Sequence, residues 1–175
     1  HVRFLEGKAV VIPPTHSMMV TGWMTLKKSG RTFYFWDGNK KIKCNAKAKG
    51  GMCTGWVTFA DNTRYFFNNG NKKVKSSTSR LGEMAVGWLT GSGGKKFYLW
   101  TGDKKVLCNG KRKGQMCTGW VTFANKTKYF LWTADKNLKS TAKQKGEMVT
   151  GKMYNKKEKK YYQFRTDGKF VKAYK

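Results

Sequence analysis

Residues 52–60 of the chain read MCTGWVTFA, and residues 116–124 repeat the same nine letters 64 positions later. The Gly-Trp dipeptide at the centre of this stretch recurs through the chain in steps of 33, 32, 32 and 32 residues. Its copies begin at Gly22, Gly55, Gly87, Gly119 and, in the degenerate form Gly-Lys, at Gly151. So constant a step across 175 residues is typical of a repeat protein, here one whose odd and even units alternate as 64-residue doublets.

Each unit carries the same features at the same offsets from Gly-Trp. A Met precedes the dipeptide, at Met19, Met52, Met84, Met116 and Met148. An aromatic cluster follows it, at 33–36, 65–67, 97–100, 129–132 and 161–164. A turn rich in Gly, Asn and Asp comes next, since these residues tolerate positive φ or bond their own backbone. One apolar residue closes each unit, at Ile42, Val74, Val106, Leu138 and Phe170.

The apolar runs inside each unit are short, rich in aromatic, Val and Thr residues, and separated by Gly, Asn, Asp and Lys. This pattern is typical of strands and hairpins, and no long window keeps an apolar face at helical spacing. A single hairpin is marginally stable, but stacked hairpins bury each other's aromatic faces. We therefore predict an all-β fold, an elongated β-hairpin solenoid of five roughly 32-residue repeats arranged as 64-residue doublets.

The predicted solenoid covers residues 17–175, and residues 1–16 match no repeat and are expected to be a linker or the end of a preceding unit. The predicted units are about 17–50, 51–82, 83–114, 115–146 and 147–175. Because the chain begins at His1 without a start Met or a signal segment, we expect it to be fused to a larger protein.

The charge is extreme: 37 Lys and Arg against 9 Asp and Glu give a formal net charge of +28. Such a charge repels itself strongly unless it is spread along an extended body. A hydrophobic content of 39% with 15% aromatic residues is too high for a disordered basic tail. No apolar stretch approaches the roughly 18 residues of a membrane helix, so we expect no membrane span.

The four cysteines form two pairs with the same spacing of nine, Cys44 with Cys53 and Cys108 with Cys117. Both members are absent together from the alternate junctions, where Ser and an apolar residue replace them. This co-occurrence favours two disulfides, Cys44–Cys53 and Cys108–Cys117, in an oxidising extracellular setting. Four buried thiols acting as small hydrophobes are the alternative. Zinc would need two more ligands per pair, so we expect no metal and no cofactor.

The pattern resembles the choline-binding or cell-wall-binding repeats and the related glucan-binding and clostridial toxin repeats. The resemblance rests on Thr54-Gly55-Trp56, Tyr65-Phe66-Phe67, Gly70-Asn71 and Met84, and it covers about residues 17–175. It implies a β-hairpin solenoid that binds surface polymers without catalysis, often beside a hydrolase, toxin or transferase. The family unit is shorter, about 20 residues, so about 12 added residues per unit, such as 43–51, are predicted to form an extra hairpin or loop.

The resemblance also implies where choline would bind, because a cage of aromatic rings holds a quaternary ammonium by cation–π attraction. Its candidate walls are Trp23, Trp56, Trp88 and Trp120, the cluster residues Tyr34, Phe66, Tyr98 and Phe130, and Met52, Met84 and Met116. Two observations oppose this. A body of +28 repels a cation, and an aromatic residue at a fixed offset in a repeat is more often core than ligand contact.

Sugars stack on exposed rings, and the last position of the aromatic cluster is the better candidate for that contact. It holds Trp36, Trp100 and Trp132, and Asn68 replaces the Trp in the second unit. A position that accepts Asn is expected to be exposed. The intervening cluster residues are predicted to be core: Phe33, Phe35, Tyr65, Phe67, Phe97, Leu99, Tyr129 and Leu131.

Lysine pairs such as Lys40-Lys41, Lys72-Lys73 and Lys104-Lys105 recur with the repeat. Each pair alone is a solvated face that prevents edge pairing, but five together form an anion-attracting stripe. Teichoic acid or an acidic polysaccharide would fit it. Nucleic acid would adhere by counterion release, but no recognition motif for it is present, so we expect no specific nucleic-acid partner.

An enzyme needs a catalytic constellation, and the carboxylates recur as turn residues instead. We therefore expect no enzymatic activity. The sequence favours a non-catalytic module, secreted or on a bacterial cell surface, that attaches a protein to a cell-wall or other anionic carbohydrate polymer. Two alternatives remain open: a glucan- or plant-polysaccharide-binding module of a carbohydrate-active enzyme, and a structural or adhesive spacer without a ligand.

Overall fold

A computed structural model describes residues 2–5, 8–11 and 19–175, the first two ranges as backbone only. The described residues contain strands and no helices, which confirms the predicted all-β class. The strands are β1 (Val2–Leu5), β2 (Lys8–Val11), β3 (Gly22–Thr25), β4 (Thr32–Phe35), β5 (Gly55–Thr58), β6 (Arg64–Phe67), β7 (Gly87–Thr90), β8 (Lys96–Leu99), β9 (Gly119–Thr122), β10 (Lys128–Leu131), β11 (Leu138–Lys139), β12 (Gly151–Asn155), β13 (Lys160–Phe164) and β14 (Phe170–Tyr174).

The predicted β-hairpin repeat is confirmed: in each unit the strand that starts with Gly-Trp, or with Gly151, pairs antiparallel with the strand of the aromatic cluster. In the third unit, Trp88 lies opposite Tyr98 and Leu89 lies opposite Phe97. Gly87 opens its strand with φ at +74°, a left-handed conformation that a side chain would disfavour. This need explains why the Gly of Gly-Trp is present in all five units.

The added residues of each unit form a loop with single bridges rather than a full second hairpin. Lys43 bridges to Thr58 on one side of the hairpin and Phe35 bridges to Met52 on the other, and the later units repeat both bridges. At the last junction the loop gains a two-residue strand, β11, which extends the final sheet to the order β11-β12-β13-β14. The loops therefore connect each hairpin to the next by backbone hydrogen bonds.

Each repeated Met fills a space that the Gly at the end of its unit leaves open. A Cβ atom on Gly82 would fall on the sulfur of Met52, and Gly114 has the same relation to Met84. The same Met backbone reaches two units back, because the Met84 amide donates a 2.8 Å hydrogen bond to the carbonyl of Thr32. Each Met thus packs within its own unit by its side chain and connects two units by its backbone.

The core is divided among the junctions between units. The first described cluster joins Tyr34 of the first unit to Cys53, Val57, Tyr65 and Phe67 of the second. Three further clusters occupy the following junctions with equivalent residues. Because each unit buries its rings against its neighbours, no hairpin carries a complete core of its own.

The fifth unit is shifted by one residue from the sequence prediction. Its hairpin turn is longer, so Gly151 pairs with Phe164, the position that Leu131 occupies opposite Gly119. Tyr162 is therefore the structural equivalent of Tyr129, not of Phe130. Strand β14 then covers the end of the array, a role that the repeat pattern did not predict.

The two cysteine pairs differ. Cys108 and Cys117 form a disulfide, with their Cα atoms 6.2 Å apart, as predicted. Cys44 and Cys53 are free thiols, so the predicted second disulfide is wrong in this structure. Burial, together with a hydrogen bond and the charge of Cys44, raises the pKa of Cys53 to about 12.

At the N-terminal end, β1 and β2 pair as an antiparallel hairpin. Residues 1, 6–7 and 12–18 lie outside the described part, so the linker prediction for 1–16 is largely untested, as is the placement of both His residues. Within the described ranges, no helix is long and apolar enough to cross a membrane.

Candidate ligand-binding niches

In the described residues, three niches lie where three successive units meet, and a fourth lies between the last two units. Each contains the Trp of one unit, a ring from the next unit, the first side chain of the aromatic strand and, in the first three niches, the Met of the unit after that. We call them niche 1 (Trp23, Thr32, Tyr65, Met84), niche 2 (Trp56, Arg64, Phe97, Met116), niche 3 (Trp88, Lys96, Tyr129, Met148) and niche 4 (Trp120, Lys128, Tyr162, Phe170).

Niche 1 is an open cavity of about 280 Å³ with the small Thr32 at its variable position. The Tyr65 ring meets Trp23 edge-on with centroids 5.0 Å apart, and Phe59 stacks on Trp23 at 5.2 Å. Arg112 and Lys113, from the unit after next, line the same cavity. Niche 1 therefore offers an aromatic and thioether wall with two cationic side chains at its rim.

Niche 2 has the same aromatic frame, but its variable position holds Arg64. The guanidinium carbon of Arg64 lies 4.5 Å from the centre of the Trp56 ring, a cation–π contact within the chain. Its Nε atom is buried and has no hydrogen-bond partner among the described residues. Burial lowers the pKa of Arg64, but an arginine remains charged at any physiological pH. The chain therefore supplies its own cation to the face of Trp56.

Niches 3 and 4 carry lysines at the variable position. In niche 3 the Tyr129 ring lies 5.0 Å from Trp88 and Phe123 stacks on Trp88 at 6.1 Å. Niche 4 lacks a Met and uses Phe170 instead, whose ring meets Trp120 edge-on at 5.2 Å. It forms a second open groove, of about 290 Å³, together with Thr122, Lys128 and Tyr162.

The exposure of the Gly-Trp residues differs from the sequence expectation. Trp23 and Trp120, expected to be mainly core, have 43% and 38% of their surface exposed. Trp56 and Trp88, in the middle of the array, are half-buried. Trp23 belongs to the first described repeat and Trp120 to the fourth, next to the last. Fewer units cover these two residues than cover the middle of the array.

Two predicted ligand contacts are buried, Tyr34 and Tyr98, with 2% and 3% of their surface exposed. Each meets the Trp of its own hairpin edge-on at 5.2 Å. Burial and the nearby Asp37 raise the pKa of Tyr34 to about 12. Both tyrosines support a Trp from behind rather than offer a ring face to solvent, which corrects their predicted role; Phe66 and Phe130 are buried in the same way.

The predicted sugar-stacking residues Trp36, Trp100 and Trp132 are half-buried and pack against the core clusters. The expectation that their position is exposed because Asn68 can replace the Trp does not hold. Asn68 is itself half-buried, its Nδ2 donates to the Thr78 carbonyl at 2.8 Å, and its Oδ1 accepts from the Gly70 amide. Asn is accepted here because both of its polar ends have local partners.

The methionines divide by role. Met84 lines niche 1 and also fills the space above Gly114. Met116 is buried in the core cluster of niche 2. Met52 packs on Gly82 in the same way as Met84 packs on Gly114, so its described role is structural.

Sequence reasoning missed the variable position, whose side chain covers the Trp ring in niche 2 and leaves it uncovered in niche 1. Its members, Thr32, Arg64, Lys96 and Lys128, are spaced by exactly one repeat of 32 residues. That regular spacing, with one neutral residue among three cations, was a readable signal. In the described part of the chain, no group of three or more His, Cys, Asp or Glu side chains could hold a metal ion.

Comparison with solved structures identifies a similar fold, that of choline binding protein F from Streptococcus pneumoniae. The match has a TM-score of 0.54 at 24% identity and covers 87% of this chain and 35% of that one, so the chain spans about a third of the length of its structural neighbour. No protein-family model and no curated protein matches the chain. The chain thus has a β-hairpin repeat fold like that of a choline-binding protein.

Proposed function

We propose that the chain is a non-catalytic module that binds a cell-wall polymer and so holds a secreted or surface protein at a bacterial cell wall. The observation that carries the proposal is niche 1, where Trp23, Tyr65 and Met84 from three successive units line one open cavity with Arg112 and Lys113 at its rim. A site that needs three consecutive units explains why a binding module would be built from repeats.

The chemistry of niche 1 suits a methylated ammonium group such as choline. Aromatic faces attract such a cation with about 0.5–2 kcal/mol, and the Met thioether adds polarisable apolar contact. Arg112 and Lys113 oppose a bare cation but favour one that carries an adjacent anion. The ligand that best fits both features is a choline substituent on a phosphate-containing polymer, such as a teichoic acid.

The likeness to choline binding protein F supports this ligand class, since that protein is named for choline binding. The net charge of +28 supports an anionic polymer, because many weak lysine contacts along one chain add up to avidity. Lysine contacts are screened by salt, whereas the apolar part of niche 1 is not. We therefore expect two components of binding with different salt dependence.

A glucan-binding module is the second candidate, and niche 4 is the observation that favours it. Trp120 is the most exposed Trp after Trp23, and Lys128 and Thr122 beside it could bond sugar hydroxyls. A sugar ring stacked on Trp120 would be insensitive to free choline. The two functions are thus separated by competition as well as by mutation.

The test is co-sedimentation of the chain with choline-containing cell walls, with the same walls after removal of choline, and with insoluble starch and cellulose. We expect retention on choline-containing walls that survives moderate salt and is released by free choline. Trp23→Ala should abolish the choline-released fraction, while Leu107→Ala, which removes an exposed apolar side chain outside the niches, should leave it unchanged.

Other outcomes decide between the alternatives. Retention on starch or cellulose that is lost with Trp120→Ala supports the glucan-binding module. Equal retention on both wall preparations, with no effect of Trp23→Ala, contradicts a choline ligand. Absence of retention on every polymer would leave a structural spacer.

A further inference from the structure

A cationic cavity lies at the C-terminal end of the array, apart from niche 1. It has a volume of about 380 Å³ and lies between the β9–β10 turn and the β13–β14 turn. Four cationic side chains line it: Lys126 from the β9–β10 turn, Lys128 from the start of β10, and Arg165 and Lys169 from the β13–β14 turn. Cations from two units therefore face one space.

One carboxylate lies beside two of these cations. Asp167 lies 3.3 Å from the Lys169 ammonium and 3.8 Å from Arg165 Nε. The Lys169 amide donates to Asp167, and this bond with the two cations lowers the pKa of Asp167, so it remains ionised at neutral pH. Four positive charges and one negative charge leave the cluster at +3.

The equivalent turn in the second unit shows that this charge is not required by the fold. Asp61-Asn62-Thr63-Arg64 there and Asn125-Lys126-Thr127-Lys128 here both place their second residue in the left-handed region, with φ at +62° for Asn62 and +63° for Lys126. In both turns the first side chain accepts a 3.0 Å bond from the Thr amide. The turn of the second unit has a net charge of zero, and the turn of the fourth unit has a net charge of +2.

Lys126 is locally unfavourable where it lies. The left-handed region suits Asn and Gly, and a long side chain without a local hydrogen bond is disfavoured in it. Asn62 meets that preference in the second unit, whereas the fourth unit places a lysine there and adds it to the cluster. Residues in sparsely populated backbone conformations cluster at functional sites.

We propose that this cavity is an anion site that takes a phosphate group. Several donors around one space match the several oxygens of phosphate, and the arginine fork can bind two of them. The cavity shares Lys128 and Phe170 with the groove of niche 4, so a phosphate here would lie beside the Trp120 ring. This site does not depend on choline binding in niche 1.

The test is a ¹H–¹⁵N NMR titration of the whole chain with inorganic phosphate at constant ionic strength, with acetate as the control anion. We expect saturable shifts at the backbone amides of Lys126, Thr127 and Lys169. Lys126→Asn introduces the residue that the equivalent turn already has, so we expect the variant to fold normally. It should weaken the affinity of the cavity for phosphate about fivefold. Lys104→Asn, which removes one exposed charge elsewhere, should not change it.

Three outcomes would overturn the site. They are shifts that stay linear and spread over all lysine-rich turns, equal effects of acetate and phosphate, and an unchanged affinity in Lys126→Asn. Because the probe is inorganic phosphate, a negative titration would overturn this anion site without contradicting wall binding through niche 1. A negative wall-binding experiment would likewise not change how the phosphate titration is interpreted.

Discussion

Niche 1 and niche 2 are built on the same frame and differ at one side chain. Both have a Trp and a ring from the next unit that meets this Trp edge-on, with centroids about 5 Å apart. In both, the amide of a Met two units further along the chain donates a 2.8 Å hydrogen bond to the carbonyl of the variable residue. Thr32 leaves niche 1 open, whereas Arg64 covers Trp56 in niche 2. The two niches therefore share one aromatic frame, and the variable residue decides whether the face of its Trp is covered.

The residue that faces the Trp ring from the next unit also differs between the two niches. Phe59 stacks on Trp23, but the equivalent residue facing Trp56 is Gly91, which has no ring to offer. Arg64 supplies the missing contact. Niche 2 thus keeps the hairpin of the repeat while the face of its Trp is covered from within the chain.

The largest expected effect concerns stability and separates the two tryptophans. Trp56→Ala should lower the free energy of unfolding by about 3 kcal/mol, because it opens a cavity in a half-buried junction and removes the partner of Arg64. Trp23→Ala should cost about half as much, since 43% of Trp23 is already exposed. Urea unfolding followed by circular dichroism measures both values, and equal losses would contradict the division into a structural and an open niche.

The next largest expected effect is the loss of stability when the cysteines of the core clusters are replaced. Cys53 lies in the core cluster with Tyr65 of niche 1, and Cys117 lies in the cluster with Trp88 of niche 3. Replacing Cys108 and Cys117 by Ser should cost about 2–3 kcal/mol, because the bridge closes a short loop. The same double change at Cys44 and Cys53 should cost less, since no bond is broken.

Alkylation of the denatured chain without reductant checks the assignment by mass spectrometry. We expect two labelled thiols per chain, Cys44 and Cys53. In the native chain at pH 8 Cys53 should stay unlabelled, because its pKa is raised to about 12 and its side chain is buried. Four labelled thiols, or none, would show that the two doublets do not differ in this way.

The smallest expected effect is the loss of stability when an ion pair beside a niche is removed. Arg31–Glu83 flanks niche 1 and Lys95–Glu147 flanks niche 3, whereas niche 2 has the neutral Gln115. Burial raises the pKa of Glu147, but hydrogen bonds from two amides and the Lys95 charge outweigh it, so the net shift is downward. Because Gln115 makes the same two amide contacts, Glu147→Gln should cost under about 1 kcal/mol at pH 7.

The pH dependence of that difference follows from the direction of the shift. A carboxylate with a lowered pKa in the folded state stabilises above its unfolded value, near 4.5, and loses this contribution as the pH falls through the folded value. The stability gap between the native chain and Glu147→Gln should therefore be constant above about pH 5 and close at lower pH. A gap that persists at pH 2 would assign the loss to packing instead.

The local parts of this fold were predictable from the sequence, and the parts set by distant units were not. Gly-Trp, the aromatic cluster and the turn residues lie within one hairpin, so their period was sufficient to predict the hairpins. The exposure of Trp23 depends on units two repeats away, and the one-residue shift at Phe164 depends on the length of a single turn. The buried Tyr34 and the locally satisfied Asn68 likewise depend on contacts that no period reveals.

We propose that the variable residue decides which niche can bind a cationic ligand. The test is isothermal titration calorimetry with choline on the native chain, on Thr32→Arg and on Arg64→Thr. We predict that Thr32→Arg loses the choline site formed by Trp23 and that Arg64→Thr gains an additional one at Trp56. Unchanged stoichiometry in both variants, with their folds intact, would contradict the claim.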